Sequence, residues 1–114
     1  MMDRQYTIER IARVLNDRRA PFIRKSMMGG EAFMVDDKMC VGIFRDALMV
    51  RIDPIEEENL AGKPGAERMT MAGKTMKGYL LIAPEGFDTN SDLEFWVDKC
   101  LAFNPKAKAS KKRK

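Results

Sequence analysis

Three short apolar runs stand only a few residues apart, and this spacing limits the folds open to the chain more than any other feature. The runs are Ala32-Phe33-Met34-Val35, Met39 to Phe44, and Leu48 to Ile52. Asp36-Asp37-Lys38 and Arg45-Asp46-Ala47 separate them, and both have turn composition. A parallel crossover needs a dozen or more residues, so links this short force antiparallel neighbours. In the third run Leu48, Val50 and Ile52 share one face of a strand, and Met49 and Arg51 share the other.

The flanking segments add helices and two further strands. Ile8, Ile11, Ala12 and Leu15 recur at helical spacing, with Arg10, Arg13 and Asp17 elsewhere on the wheel and Pro21 as the limit. Residues 22–28 read as a connector, partly extended, before Gly29-Gly30 breaks the chain. Asp53-Pro54-Ile55-Glu56 has the form of a helix start, with Asp53 as cap and Glu56 at capping-box-like spacing, and that short helix ends at Gly62. Arg68 to Met71 and Thr75 to Ile82 read as strands joined around Ala72-Gly73-Lys74. Ser91-Asp92-Leu93-Glu94 resembles a capping box, and behind it Leu93, Trp96, Val97, Cys100 and Leu101 trace the clearest helix of the chain. Asn104-Pro105 closes it. The predicted order is α-β-β-β-α-β-β-α, a two-layer α+β domain with an antiparallel sheet of about five strands. One domain over residues 1–105 and a basic, disordered tail over 106–114 are expected.

Charge supports that division. Six of the 21 Lys and Arg residues fall after Pro105, which leaves 15 against 17 Asp and Glu residues in the rest of the chain. The formal charge of +4 therefore belongs to the tail, and the folded body is slightly acidic. No apolar run approaches the roughly 18 residues of a membrane span, and the polar start Met1 to Tyr6 is unlike a secretory leader. A cytoplasmic protein is expected. The chain has no histidine, so the commonest general base and metal ligand are missing from its repertoire. Cys40 and Cys100 read as small buried side chains in a reducing compartment; a disulfide requires their Cα atoms to approach within about 7 Å.

The chain resembles the TfoX N-terminal domain family, of the bacterial TfoX/Sxy competence-regulator group. The resemblance is carried by Lys25 to Val35, Met39-Cys40-Val41-Gly42, and Asp46-Ala47-Leu48-Met49-Val50-Arg51. It continues through Pro64-Gly65, Met69, Gly73 to Gly78, Pro84-Glu85-Gly86, Trp96-Val97 and Leu101-Ala102-Phe103. Met28 stands where the family usually has phenylalanine before its glycine pair. The resemblance implies the same element order and no reaction or cofactor. The longer proteins that give the group its name regulate DNA uptake and carry a second, C-terminal domain.

Each candidate site has a plainer alternative. Gly29-Gly30 could cradle an anion, but it precedes a strand and lacks a P-loop Lys-Ser/Thr, so a turn with positive φ is expected. Lys74 and Lys77, with Arg68, form either a basic patch or a solvated hairpin face. Arg51 is expected to be partly covered and ion-paired, with ligand binding as the alternative. Asp36-Asp37 and Glu56-Glu57-Glu58 fit a turn and a helix N-terminus better than a catalytic pair, and no enzyme is expected. Of the ten methionines, Met34, Met39, Met49, Met69, Met71 and Met76 fall in strands, as core packing or as a soft interaction face. One sheet face is expected to present Phe33, Val35, Phe44, Met49 and Leu81, to be covered by a helix or by another chain, such as a second copy. Lys111, Lys112, Arg113 and Lys114 could join Lys74 and Lys77 in weak nucleic-acid binding, against the reading of a solubilising tail.

Overall fold

Period-2 and period-3.6 segments alternate along the chain, and the computed structural model resolves them into a helix-backed sheet. It describes residues 4–27 and 29–108. The elements are α1 (Arg4–Asp17), β1 (Ile23–Met27), β2 (Gly30–Val35), β3 (Lys38–Phe44), β4 (Ala47–Arg51), α2 (Glu57–Ala61), β5 (Ala66–Met71), β6 (Lys74–Ile82) and α3 (Asn90–Phe103). The six strands form one sheet in the order β1-β2-β3-β4-β6-β5, every pair antiparallel.

The sheet has six strands rather than five. The segment taken for a connector contains β1, which pairs along its length from Ile23 opposite Met34 to Met27 opposite Gly30. Its sequence, Ile-Arg-Lys-Ser-Met, is mostly polar because β1 is an edge strand. The two-residue turns follow their chemistry. Asp36 and Asp37 have φ of 54° and 64°, and Ala72 and Gly73 have φ of 54° and 81°. Positive φ at both central residues is the hairpin turn whose twist matches that of its strands.

One face of the sheet receives α1 and α3. Phe33, Val35, Val41, Ile43, Leu48, Val50, Leu80 and Ile82 pack with Ile8, Ile11 and Leu15 of α1 and with Leu93, Trp96, Val97 and Cys100 of α3. Trp96 is fully buried and its indole N–H donates to the Gly86 carbonyl at 3.2 Å. The two helices are tied at the surface by Arg18, which donates to both carboxylate oxygens of Asp98 at 2.8 and 3.0 Å. Arg10 is also drawn in. It is only 9% exposed, its guanidinium donates to the Asp88 carbonyl at 3.1 Å, and it lies over the rings of Tyr6 and Phe87.

Two local expectations are corrected. Pro54–Glu56 forms a 3-10 turn ahead of α2, with the Asp53 side chain accepting from the Ile55 N–H, while Glu56 pairs with Lys99 instead of reaching back to the cap. The cap of α3 is Thr89, whose hydroxyl accepts from the Asp92 N–H, so Ser91 lies inside the helix. Pro105 sits within a further 3-10 turn, Asn104–Lys106, and Ala107 is buried. No helix among the described residues is long and apolar enough to cross a membrane.

Candidate functional site

The other face of the sheet has a different composition and, among the described residues, no helix. Ala32, Met34, Met39, Met49 and Met69 are buried there, and Phe44, Met71, Met76, Tyr79 and Leu81 are partly buried around them. None of these residues comes from α1, α2 or α3. All six strand methionines singled out in the sequence fall on this one face. Unbranched thioether chains can lie along a sheet and cover one another, which explains burial without a second layer.

The expected face of five residues divides between the two sides. Phe44, Met49 and Leu81 lie on the methionine side, but Phe33 and Val35 lie under the helices. The division follows from register: Ala32 lies opposite Gly42 and Gly42 opposite Met49, so Phe33 and Val35, which alternate with Ala32 and Met34, fall on the side away from Met49. Between β2 and β3 the register shifts at Phe33/Met34, and between β5 and β6 it shifts at Arg68/Thr70. Each shift changes which residues share a side. The register itself runs Ala32, Gly42, Met49, Leu81 across four strands. Gly42 is required there, since a Cβ would sit 2.4 Å from the Glu31 carbonyl oxygen.

Glu57 holds the second irregularity in place. Only 8% exposed, it accepts from the Gly78 N–H at 2.7 Å and from the Arg68 guanidinium at 2.9 Å. Gly78 has φ of +83°, which places it where glycine is favoured. Burial alone pushes the Glu57 carboxyl up, but the Gly78 and Arg68 hydrogen bonds outweigh it and hold the group below the ordinary range. This carboxylate is committed to the fold.

The hairpin cations do not converge. Lys74 pairs opposite Met71 on the methionine side, whereas Arg68 and Lys77 act on Glu57 from the helix side. Lys111, Lys112, Arg113 and Lys114 lie outside the described residues. Arg51 has no carboxylate partner among the described residues, contrary to the ion pair expected. It donates to the Met39 carbonyl at 3.4 Å and lies 5.5 Å from the Tyr79 ring centroid. Gly29 is a turn residue with φ of +75°, and Gly30 lies in β2 with no room for a Cβ against the Ile43 carbonyl. Asp36-Asp37 is the expected turn. Among the described residues no group of three or more Cys, Asp or Glu side chains could hold a metal ion.

A cleft of about 450 Å³ opens at one end of the methionine face, between the β3–β4 turn and the segment after β6. Phe44 and Leu81 line it together with Arg45, Asp46, Glu67 and Glu85. The guanidinium of Arg45 stands 5.0 Å from the Phe44 ring centroid. Apolar surface thus continues from the methionines into a cleft with charges of both signs around it.

These features define the class of protein: a two-layer α+β domain whose antiparallel sheet is covered, among the described residues, by helices on one side only. The chain belongs to the TfoX N-terminal domain family, whose model matches residues 15–104. No curated protein and no solved structure matches it.

Proposed function

We propose that the domain is a protein-binding module that acts without chemistry of its own, and that the occupant of the methionine face is a second copy of this chain. The observation that carries the reading is the grouping of six methionines with Phe44, Tyr79 and Leu81 on the side of the sheet without helices. Methionine-rich surfaces are adaptable and suit protein contact. Six strands at about 4.8 Å spacing give a face roughly 25 Å wide. With strands of about six residues the footprint is on the order of 500 Å² before side-chain relief, the scale of the ~800 Å² per partner in a standard interface.

Charge supports self-association in particular. Lys25 shares this face through its pairing with Ala32, Lys74 through Met71, and Glu67 through Leu81. A twofold contact places a patch against itself, and a rim with both signs offers complementary pairs in that arrangement. Sedimentation velocity across a concentration series tests the reading. The wild-type chain is expected to sediment as a dimer, and the double variant Met71→Glu, Met76→Glu as a folded monomer. A wild-type monomer throughout the series would overturn the second copy as occupant. Binding of duplex DNA that weakens steeply with salt and is lost on deleting the residues after Pro105 would favour the basic tail as the working element instead.

A further inference from the structure

One register row crosses the methionine side from edge to edge. Lys25, Ala32, Gly42, Met49, Leu81 and Glu67 stand opposite one another in turn on β1, β2, β3, β4, β6 and β5. The row begins with a lysine on one edge strand and ends with a glutamate on the other, and both side chains are exposed. Lys74 and the Asp36-Asp37 turn repeat this separation of charge at one end of the sheet. Met71, opposite Lys74, is four residues beyond Glu67, and Asp36 is four residues beyond Ala32, so both lie about 13 Å along the strands from the row. Antiparallel pairing throughout makes β2 and β5 run the same way, which puts Lys74 and the two aspartates at the same end. Asp36 and Asp37 line a hollow there with Ile23 and Met34. Among the described residues, none of Lys25, Lys74, Asp36, Asp37 and Glu67 has an ion pair within the chain. By contrast Arg24 and Glu31, on the other side of β1 and β2, pair at 2.9 Å.

We infer that two copies of the chain meet across the methionine side on a twofold axis parallel to the strands, with Lys25 of each copy paired to Glu67 of the other. The arrangement rests on the second copy proposed above as the occupant of this side. A twofold contact between two sheet faces has its axis in the plane between them. With the axis along the strands, the strand order is reversed in the partner: β1 lies over β5, β2 over β6 and β3 over β4. Lys25 then faces the partner's Glu67 at both edges, and Lys74 faces the partner's Asp36-Asp37 turn. With the axis across the strands, along the row, Lys25 faces a second Lys25 and Glu67 a second Glu67, which is unfavourable. Sheets packed face to face stand about 10 Å apart, within the combined reach of an extended lysine and glutamate. Apolar exposure agrees with the reversed order. Met71, Met76, Tyr79 and Leu81, which are partly buried, belong to β5 and β6, whereas Ala32, Met34 and Met39 of β2 and β3 are buried. Reversal seats the exposed half of each copy on the methionines of β2 and β3 in the other.

Charge reversal read by sedimentation equilibrium tests the arrangement. Lys25→Glu and Glu67→Lys change the net charge in opposite directions, yet each should weaken the dimer about 10-fold. Both reversals in one chain should restore it to within about threefold of wild type. A carbodiimide, which joins lysine to carboxylate without a spacer, gives a second readout. Lys25 and Glu67 of one chain lie about 24 Å apart across the sheet, so a linked Lys25–Glu67 peptide can come only from two copies. That peptide is expected from the wild-type dimer. A dimer that yields no such peptide, single reversals that dimerise as well as wild type, or a double reversal as weak as either single one would overturn the arrangement. If Met71→Glu, Met76→Glu still dissociates that dimer, the second copy stands as occupant and only its orientation is wrong. A wild-type chain that is monomeric throughout would overturn both.

Discussion

The two faces of the sheet are built from the same strands but solve burial differently. On the helix side, β-branched and aromatic residues meet two helices, and Trp96 and Phe33 are wholly enclosed. On the methionine side, flexible side chains cover one another and leave a partly exposed margin of Phe44, Met71, Met76, Tyr79 and Leu81. Rigid, branched shapes specify one packing, whereas thioethers accommodate several. The difference teaches that one face holds a rigid, interlocked core and the other an adaptable layer with a partly exposed margin.

That comparison breaks most visibly at Trp96. Trp96→Ala removes the largest enclosed side chain and its hydrogen bond to Gly86, and should cost about 4 kcal/mol in denaturant unfolding. A cost under about 1 kcal/mol would mean that the helix side is not the specifying core. Glu57 ties α2 to the β5–β6 hairpin, and Glu57→Gln should cost about 2 kcal/mol near neutral pH by weakening two charge-assisted hydrogen bonds. The sign with pH follows from its lowered folded-state value. The contribution is present above the unfolded value of 4.5 and is lost as pH falls through the folded one. The variant should therefore lose less stability than wild type on acidification, read as melting midpoint against pH. A matched pair sharpens the contrast further. Phe33→Leu, under the helices, should cost about 1–2 kcal/mol, and Met49→Leu, on the open side, less than about 1 kcal/mol. Equal costs would erase the distinction. The smallest effect is expected at the margin, where the paired change Met71→Glu, Met76→Glu should alter the stability of the monomer by only about 0.5 kcal/mol.

Much of this was legible in the residues. The short links at Asp36-Asp37 and Arg45-Asp46 required antiparallel neighbours, and the spacing of Leu93, Trp96, Val97 and Cys100 marked α3 and its buried stripe. β1 was obscured because an edge strand facing solvent needs little apolar sequence. The division of Phe33 and Val35 from Phe44, Met49 and Leu81 was obscured because alternation within a strand does not say how that strand is registered against its neighbours. One signal did point to the second irregularity: Gly78 interrupts an otherwise continuous strand, which commonly marks a bulge. Arg51 was misassigned an ion pair because a cation among apolar neighbours can also be satisfied by a carbonyl and a ring.

The central claim is that the methionine face meets a second copy, and sedimentation velocity of the wild-type chain beside Met71→Glu, Met76→Glu tests it most directly. The account predicts twice the monomer mass for the wild type at micromolar concentration, and a monomer of unchanged circular dichroism for the variant. A wild-type chain that stays monomeric, or a variant that dimerises as well as wild type, would contradict it.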